Sequence, residues 1–168
     1  MKTEFIETTS RFIEYCESLP NSIYFKEGDK WNTAQVMDHL ERSIRPVNLA
    51  MGLPGFAHRI LFGKSTRTSR SFEEVVTKYH KALEKGGKAS GPYIPKGDLQ
   101  NRKQNSAKLG KICEQLARRI EKRNPSDWET SILPHPLLGK LTLKEMIYFT
   151  IYHLDHHLVT LKRFNKNP

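Results

Sequence analysis

Apolar residues recur every three or four positions along most of the chain, which is the repeat of an amphipathic α-helix. Short clusters containing proline and asparagine separate these segments, as at Pro20-Asn21 and Asn124-Pro125, and such residues end helices. No segment shows a convincing strand-like alternation. The pattern predicts helices at about 3–19, 32–47, 72–85, 109–123 and 142–164.

Three of the predicted helices begin with a sequence that favours a capping box. Asn32, Ser71 and Thr142 are each followed three positions later by Gln or Glu. In a capping box the first side chain accepts a hydrogen bond from the backbone three residues on, and the Gln or Glu side chain bonds back. These positions therefore mark helix starts.

Two connections separate the helices of the middle region. Residues 51–70 are rich in Gly, Pro, Ser, Thr and Arg, which predicts a loop with one short helical turn, and residues 88–104 form a second, basic connection. Four long helices and one shorter helix predict an all-α fold. We expect an up-and-down antiparallel four-helix bundle, with the additional shorter helix in the 51–104 connection. A chain of 168 residues suits a single domain over residues 1–168.

The composition is that of a soluble globular protein, with 37% hydrophobic and 27% charged residues. No apolar run approaches the ~18 residues that a membrane span needs, and residues 1–6 lack the pattern of a signal peptide. We therefore expect a cytoplasmic protein that does not enter the membrane. Cys16 and Cys113 fall in apolar helical stripes, so they are expected to be buried and reduced.

The net charge of +10 comes from the middle of the chain. Residues 51–123 hold 17 basic and 6 acidic side chains, whereas residues 1–50 hold 6 and 8. Such an excess can attract nucleic acid, an acidic partner or an anionic substrate. A solvated lysine-rich surface without any partner is the alternative.

The histidines carry the clearest chemistry. His153 and His157 are four residues apart in the last predicted helix, so both imidazoles can reach one metal ion from the same face. His39, beside the apolar stripe of the second helix, is the best candidate for a third ligand. Three nitrogens would leave positions on the ion for water or substrate and suit zinc, nickel, iron or copper. Each histidine also has a simpler interpretation, as a hydrogen-bonded or exposed side chain.

The other histidines carry weaker signals. His135 lies between two prolines in a constrained loop, where it is structural or at the entrance of a site. His58 and His80 have no informative context and are expected at the surface. His156 is expected at the surface or as a support for a ligand.

Two longer segments resemble a known family. Trp31-Asn32-Thr33-Ala34-Gln35-Val36-Met37-Asp38-His39-Leu40 is similar to the start of the second helix in the DinB-like (YfiT-like) superfamily. His135-Pro136-Leu137-Leu138-Gly139-Lys140-Leu141-Thr142, with the later Tyr152-His153-Leu154-Asp155-His156-His157-Leu158, resembles its last loop and fourth helix. The His-Pro-x-x-Gly-Lys-Leu segment is typical of an uncharacterised branch.

The resemblance implies a four-helix bundle with metal ligands at His39, His153 and His157. It also implies a homodimer, and an activity such as thiol S-transfer from bacillithiol, mycothiol or glutathione, isomerisation or metal-dependent hydrolysis. The cofactor would be one divalent transition metal, zinc or nickel first and iron or manganese next, with a low-molecular-weight thiol as a further candidate. The basic 51–104 stretch departs from the family pattern.

Two hypotheses follow. The first is a metal-dependent enzyme, a thiol S-transferase or hydrolase, whose 51–104 lysines and arginines hold a small anionic substrate. No separate general base is evident, since Asp38 and Asp155 adjoin proposed ligands in sequence but are turned about 100° away. Each is expected to be exposed or, as the alternative, to support a ligand. The second is a non-catalytic binding module whose basic surface contacts nucleic acid or an acidic partner. No nucleotide-binding or serine-hydrolase motif is present.

Overall fold

The computed structural model describes residues 1–96, 99 and 101–166. It is mainly helical, which confirms the all-α class and the bundle. A turn of 3-10 helix covers Gly91–Tyr93. In chain order the other elements are α1 (Lys2–Ser18), α2 (Asn21–Tyr24), α3 (Thr33–Met51), α4 (Gly55–Phe62), α5 (Phe72–Glu84), α6 (Arg102–Lys122), α7 (Asp127–Thr130), β1 (Ile132–His135), β2 (Gly139–Thr142) and α8 (Leu143–Lys166).

The four long helices α1, α3, α6 and α8 form the bundle, and α1 and α3 each pack against both α6 and α8. Side chains at the helix ends give their directions. Lys2 at the start of α1 pairs with Glu121 at the end of α6, at 2.6 Å, so α1 and α6 are antiparallel. Tyr15 accepts a hydrogen bond from Asn165 near the ends of α1 and α8, at 3.1 Å, so these two helices are parallel.

The helices α3 and α6 also run parallel. Asn48, late in α3, bonds to Gln115 of α6 at 3.0 Å, and Arg123 just after α6 bonds to the Leu53 carbonyl just after α3 at 2.5 Å. The chain therefore returns along the bundle between α3 and α6, so the expected up-and-down order, in which successive helices alternate in direction, is wrong at this step. A long connection such as 52–101 is needed for this return, which explains why the predicted basic connections are so extended.

The bundle core follows the predicted apolar stripes. Its fully buried side chains include Phe12 of α1, Leu40 of α3, Leu116 of α6 and Ile147 of α8. Cys16 and Cys113 are buried free thiols, as expected. Burial raises the pKa of both thiols to about 12, so neither is a nucleophile at neutral pH.

A two-stranded antiparallel hairpin precedes α8, and here the expectation of no strands was wrong. Ile132 pairs with Thr142 and His135 pairs with Gly139. Each strand has only four residues and one contains a proline, so neither is long enough to show the alternation by which strands are recognised. Gly139 has φ +70°, a backbone conformation that glycine adopts without strain.

The 51–70 connection is more ordered than predicted. Instead of one short turn it contains α4, which has eight residues and packs against β1. The helix α5 matches the predicted additional helix and packs on α8. The connection therefore lies over one side of the bundle, next to the hairpin.

The three capping boxes form as the sequence predicts. The glutamate of the third capping box, Glu145, also accepts hydrogen bonds from the 63–71 segment. Glu145 has no exposed surface and accepts hydrogen bonds from Thr142, from both terminal nitrogens of Arg67 at 2.5 and 2.7 Å and from the Arg70 backbone at 2.6 Å. Burial opposes ionisation of this carboxyl, but these donors outweigh it and lower its pKa.

Candidate metal centre

Three histidines from two helices meet at one point inside the bundle. The Nε2 atoms of His39 and His153 are 3.1 Å apart, and those of His153 and His157 are also 3.1 Å apart. One ligand atom from each residue lies within 4.8 Å of those of the other two. We call these residues the three-histidine cluster. The structure thus brings together the histidines that the sequence singled out.

The two helices supply this geometry through their own repeat. His153 and His157 lie one turn apart on the face of α8 that packs on α3. His39 lies on α3, which runs antiparallel to α8, and its ring contacts both partner rings with centroids 5.0 Å away. A four-residue spacing on one helix and a single residue on its neighbour are therefore enough to build the cluster.

A backbone carbonyl orients His39. Its Nδ1 lies 2.7 Å from the carbonyl oxygen of Tyr93, and a carbonyl can only accept, so Nδ1 carries the proton. Nε2 then presents a lone pair towards His153. In a metal-binding histidine, one ring nitrogen usually donates a hydrogen bond in this way while the other nitrogen binds the metal. Tyr93 is 54 residues from His39, and no sequence signal indicated this contact.

The distances fit a metal ion. Two nitrogens bonded to one zinc ion at about 2.0–2.1 Å stand roughly 2.8–3.4 Å apart for bond angles of about 90–110°. The observed 3.1 Å separations fall in this range. The cluster is therefore compatible with one ion bound by three nitrogens.

The protonation states fit as well. Burial lowers the pKa of His39, and it lowers the pKa values of His153 and His157 well below 6.5, with the neighbouring imidazoles adding to the effect. His39 and His153 are each only 5% exposed. All three rings are therefore neutral at pH 7, which is the form that binds metal.

A cavity of about 510 Å³ opens beside the cluster, and all three histidines line it. Its walls are mainly apolar and aromatic, and among the described residues that line it there is no Asp or Glu. Lys88, which is exposed, lies at its edge. The site thus combines a polar end with an apolar chamber. The aromatic and apolar wall residues include Trp31, Phe62, Tyr79, Leu133, Leu137 and Phe149.

The remaining histidines divide between expected and unexpected positions. His80 is exposed, as predicted, and His156 is half-buried and lines the cavity. His135 also lines the cavity and holds the hairpin turn, so both of its anticipated roles apply. The prediction for His58 was wrong. His58 is fully buried on the inner side of α4, where its Nε2 donates a hydrogen bond to the Ala50 carbonyl at 2.7 Å.

The two aspartates next to the cluster behave differently from each other. Asp155 is 41% exposed and lies 3.6 Å from Arg11, as expected of a surface group. Asp38 is only 17% exposed, which corrects the expectation of exposure and favours the alternative of a supporting role. Its Oδ2 accepts from Arg42 at 2.6 Å and from the Lys96 backbone at 2.8 Å. Asp38 therefore ties α3 to the segment that carries the Tyr93 carbonyl.

At least five of the 17 basic residues in 51–123 bind groups of the protein itself. Two arginines of residues 51–123 bind the buried Glu145 carboxylate, one binds backbone carbonyls at the end of α1, and two bind carbonyls at the end of α3. Arginine commonly stabilises helix C-termini in this way. These residues are Arg67, Arg70, Arg102, Arg119 and Arg123.

Comparison with known proteins identifies the family of this chain. Searches of curated proteins and of solved structures each found no significant match. Within the described part of the chain, no helix has the length and apolar character of a transmembrane span. The model of the DinB superfamily matches residues 4–161, a range that contains all four bundle helices apart from their ends. The chain therefore belongs to the DinB superfamily.

Proposed function

We propose that this protein is a metal-dependent enzyme in which His39, His153 and His157 hold one divalent transition-metal ion. The observation that carries the proposal is the convergence of three neutral imidazoles beside a cavity, with the Nε2 atom of His153 3.1 Å from the Nε2 atoms of both His39 and His157. Three protein ligands leave coordination positions for a substrate, which is the pattern of catalytic rather than structural sites. Neutral nitrogen ligands favour zinc or nickel first, with iron or manganese as alternatives.

The reaction that fits this cavity best is thiol S-transfer. A divalent ion at the cluster would lower the pKa of a bound thiol and so supply a thiolate at neutral pH. On forming the thiolate, the thiol would release its proton to solvent. The sulfur would then form a bond to an electrophilic carbon of the second substrate, and the leaving group would depart from that carbon with the bonding electron pair. This reaction needs no carboxylate base, in keeping with the lack of Asp and Glu among the described wall residues.

The chain's own residues would bind and orient the substrates. The apolar walls suit a hydrophobic electrophile and exclude water from around it. Lys88 at the cavity edge suits the anionic end of a low-molecular-weight thiol or another small anionic substrate. Hydrolysis is the second candidate, because the half-buried His156 lines the cavity, where an imidazole can pass a proton to a leaving group.

Metal content is the first test. Untagged protein purified without chelator should contain close to one equivalent of a transition metal by plasma mass spectrometry. His39→Ala and the double variant His153→Ala/His157→Ala should lose it, whereas His80→Ala, which alters an exposed histidine outside the cavity, should keep it. Native protein that binds neither zinc, nickel nor manganese on incubation would exclude the proposal.

Thiol transfer is the second test. The loaded protein should accelerate the loss of free thiol from glutathione or bacillithiol in the presence of a chromogenic aryl halide, and the His39→Ala variant should not. Loaded protein that cleaves a chromogenic ester instead would support the hydrolase.

The alternative of a nucleic-acid or acidic-partner module rests on the basic middle region. It is weakened by the arginines that bind buried carboxylate and backbone groups. Binding of DNA or RNA that falls steeply with salt, in protein without metal, would favour it. We also propose, from the family resemblance, that the protein is a homodimer and that it is cytoplasmic. Light scattering after size-exclusion chromatography will test the dimer.

A further inference from the structure

His135 occupies an unusual position at the end of β1. Pro134 and Pro136 flank it, and neither has a backbone N–H. Its ring makes a T-shaped contact with Phe149, with centroids 4.2 Å apart and an interplanar angle of 69°. The ring also lines the cavity. The hairpin therefore holds the His135 imidazole in the wall of the cavity beside the three-histidine cluster.

The hydrogen bonds of the turn determine which nitrogen of His135 carries its proton. The backbone N–H groups of Leu137 and Leu138 both point to Nδ1, at 3.2 and 3.1 Å. Since backbone N–H groups can only donate, Nδ1 acts as an acceptor and is unprotonated. The proton of the neutral ring therefore resides on Nε2.

The ring stays neutral under physiological conditions. Burial lowers the pKa of His135 to about 4, and the nearby positive charge of Lys78 adds to this effect. Its Nε2–H has no hydrogen-bond partner among the described residues. A fixed donor in an apolar chamber binds an acceptor more strongly than it would in water.

One aromatic ring relates this donor to the three-histidine cluster. Phe149 stacks on His153 with centroids 5.0 Å apart and an interplanar angle of 24°, and His135 makes a T-shaped contact with the same ring. Because His135 and the cluster both contact Phe149 and line one cavity, a small molecule with one atom at the cluster can reach His135.

From this arrangement we infer that His135 is a substrate-binding residue whose Nε2–H donates to an oxygen acceptor of the substrate. The inference rests on the proposed metal site. It defines the substrate class as a small molecule with a metal-binding atom at one end and a carbonyl or carboxylate oxygen several bonds away.

Two substitutions distinguish the role of the Nδ1 acceptor from that of the Nε2–H donor. His135→Asn keeps an acceptor close to the position of Nδ1, so the turn is preserved, but it lacks the donor. His135→Gln keeps a donor close to the position of Nε2 but lacks the turn acceptor. If His135 were purely structural, the Asn variant would behave like the native protein in every binding assay.

The experiment uses protein loaded with cobalt(II) and three probes: hexanethiol, 6-mercaptohexanamide and 6-mercaptohexanoate. Thiolate binding is followed by the sulfur-to-cobalt absorption band. The native protein should bind the amide about tenfold more tightly than hexanethiol, because the amide oxygen accepts from His135. The amide is the deciding probe, since it is uncharged and Lys88 gives it no advantage, whereas a preference for the carboxylate alone would assign the effect to Lys88 and overturn the inference.

The variants complete the test. His135→Asn should lose the amide preference while keeping its cobalt spectrum and melting temperature, and His135→Gln should retain most of the preference despite a lower melting temperature. An unchanged preference in a folded Asn variant would overturn the inference and leave the metal site standing. If the Asn variant does not fold, the Gln variant decides: retained preference supports the inference and its loss overturns it. Native protein that binds neither cobalt nor zinc, nickel and manganese would instead refute the proposed function itself, and this inference with it.

Discussion

The Nε2 atoms of His39 and His153 lie 3.1 Å apart although 114 residues separate them in sequence. Both rings are buried, and burial lowers the pKa of each. Two neutral imidazoles can share one proton at this distance, but the third ring, His157, also directs its Nε2 to the same point. A single cation between them would satisfy all three lone pairs at once.

Zinc should therefore stabilise the fold through the cluster. A ligand that binds only the native state at about 100 times its dissociation constant adds about 2.7 kcal/mol, which for a chain of this size raises the melting temperature by roughly 5–10 °C. Differential scanning fluorimetry with and without zinc measures this. His157→Ala should abolish the shift and His80→Ala should preserve it. An equal shift in both variants would place zinc elsewhere on the protein.

Asp38 should tune metal affinity without contacting the metal. It anchors the backbone N–H of Lys96 at 2.8 Å, three residues after the Tyr93 carbonyl that orients His39. Groups that orient a ligand in this way typically contribute tenfold to 100-fold in affinity. Asp38→Ala should weaken zinc binding by about tenfold in competition with a chromophoric chelator.

Asp155→Ala is the matched control for this change. Asp155 also adjoins cluster residues in sequence, but it is 41% exposed, and its one ion pair among the described residues is with Arg11, at 3.6 Å. Its removal should leave zinc affinity within twofold. Equal losses in the two variants would indicate a general effect of negative charge rather than the anchoring of the Tyr93 carbonyl.

Glu145 should be among the most costly side chains to neutralise. It is fully buried and binds Arg67 and Arg70, and breaking such a buried pair costs about 3–5 kcal/mol. Glu145→Gln should therefore lower the free energy of unfolding by about that amount in urea. Glu114→Gln, which alters an exposed pair with Arg118 at 3.9 Å, should change it by less than about 1 kcal/mol.

The contribution of Glu145 should also depend on pH. Its pKa is lower in the folded protein than the ordinary 4.5, so its stabilising effect is complete above the unfolded pKa and is lost as the pH falls through the folded value. The stability difference between native protein and Glu145→Gln should thus be constant from pH 7 to pH 5 and shrink below pH 4.5. A difference that stays constant down to pH 3 would contradict the shift.

The sequence predicted the long helices and the cluster because both depend on local periodicity. The four-residue spacing of His153 and His157 fixes their common face, and the apolar stripe of α3 places His39 beside the core. Local periodicity does not report contacts between distant segments. The Tyr93 carbonyl reaches His39 across 54 residues, and the parallel run of α3 and α6 depends on a connection whose path leaves no repeat in the sequence.

Other features were missed because their segments are short or ambiguous. The strands β1 and β2 have four residues each, too few for a period of two to be recognised. His58 lies in an eight-residue helix in which the apolar residues Phe56 and Ile60 are exposed. The positions of apolar residues in this helix therefore do not indicate which of its sides is buried. The polar histidine faces the protein interior instead, because the Ala50 carbonyl at the end of α3 accepts a hydrogen bond from its Nε2–H.

The buried position of His58 leads to a last prediction, on acid sensitivity. Burial lowers its pKa below 6.5 in the folded state, although the Ala50 carbonyl opposes this effect. The unfolded chain then binds a proton more readily, so the stability due to a neutral His58 is complete above pH 6.5 and declines as the pH falls below it. His58→Gln keeps a donor near Nε2 but does not titrate, so its unfolding free energy should fall less than that of the native protein between pH 7 and pH 5, as measured by urea denaturation with chelator present. His80→Gln, at an exposed histidine, should reproduce the native slope, and an unchanged slope in His58→Gln would show that His58 is protonated without cost in the fold.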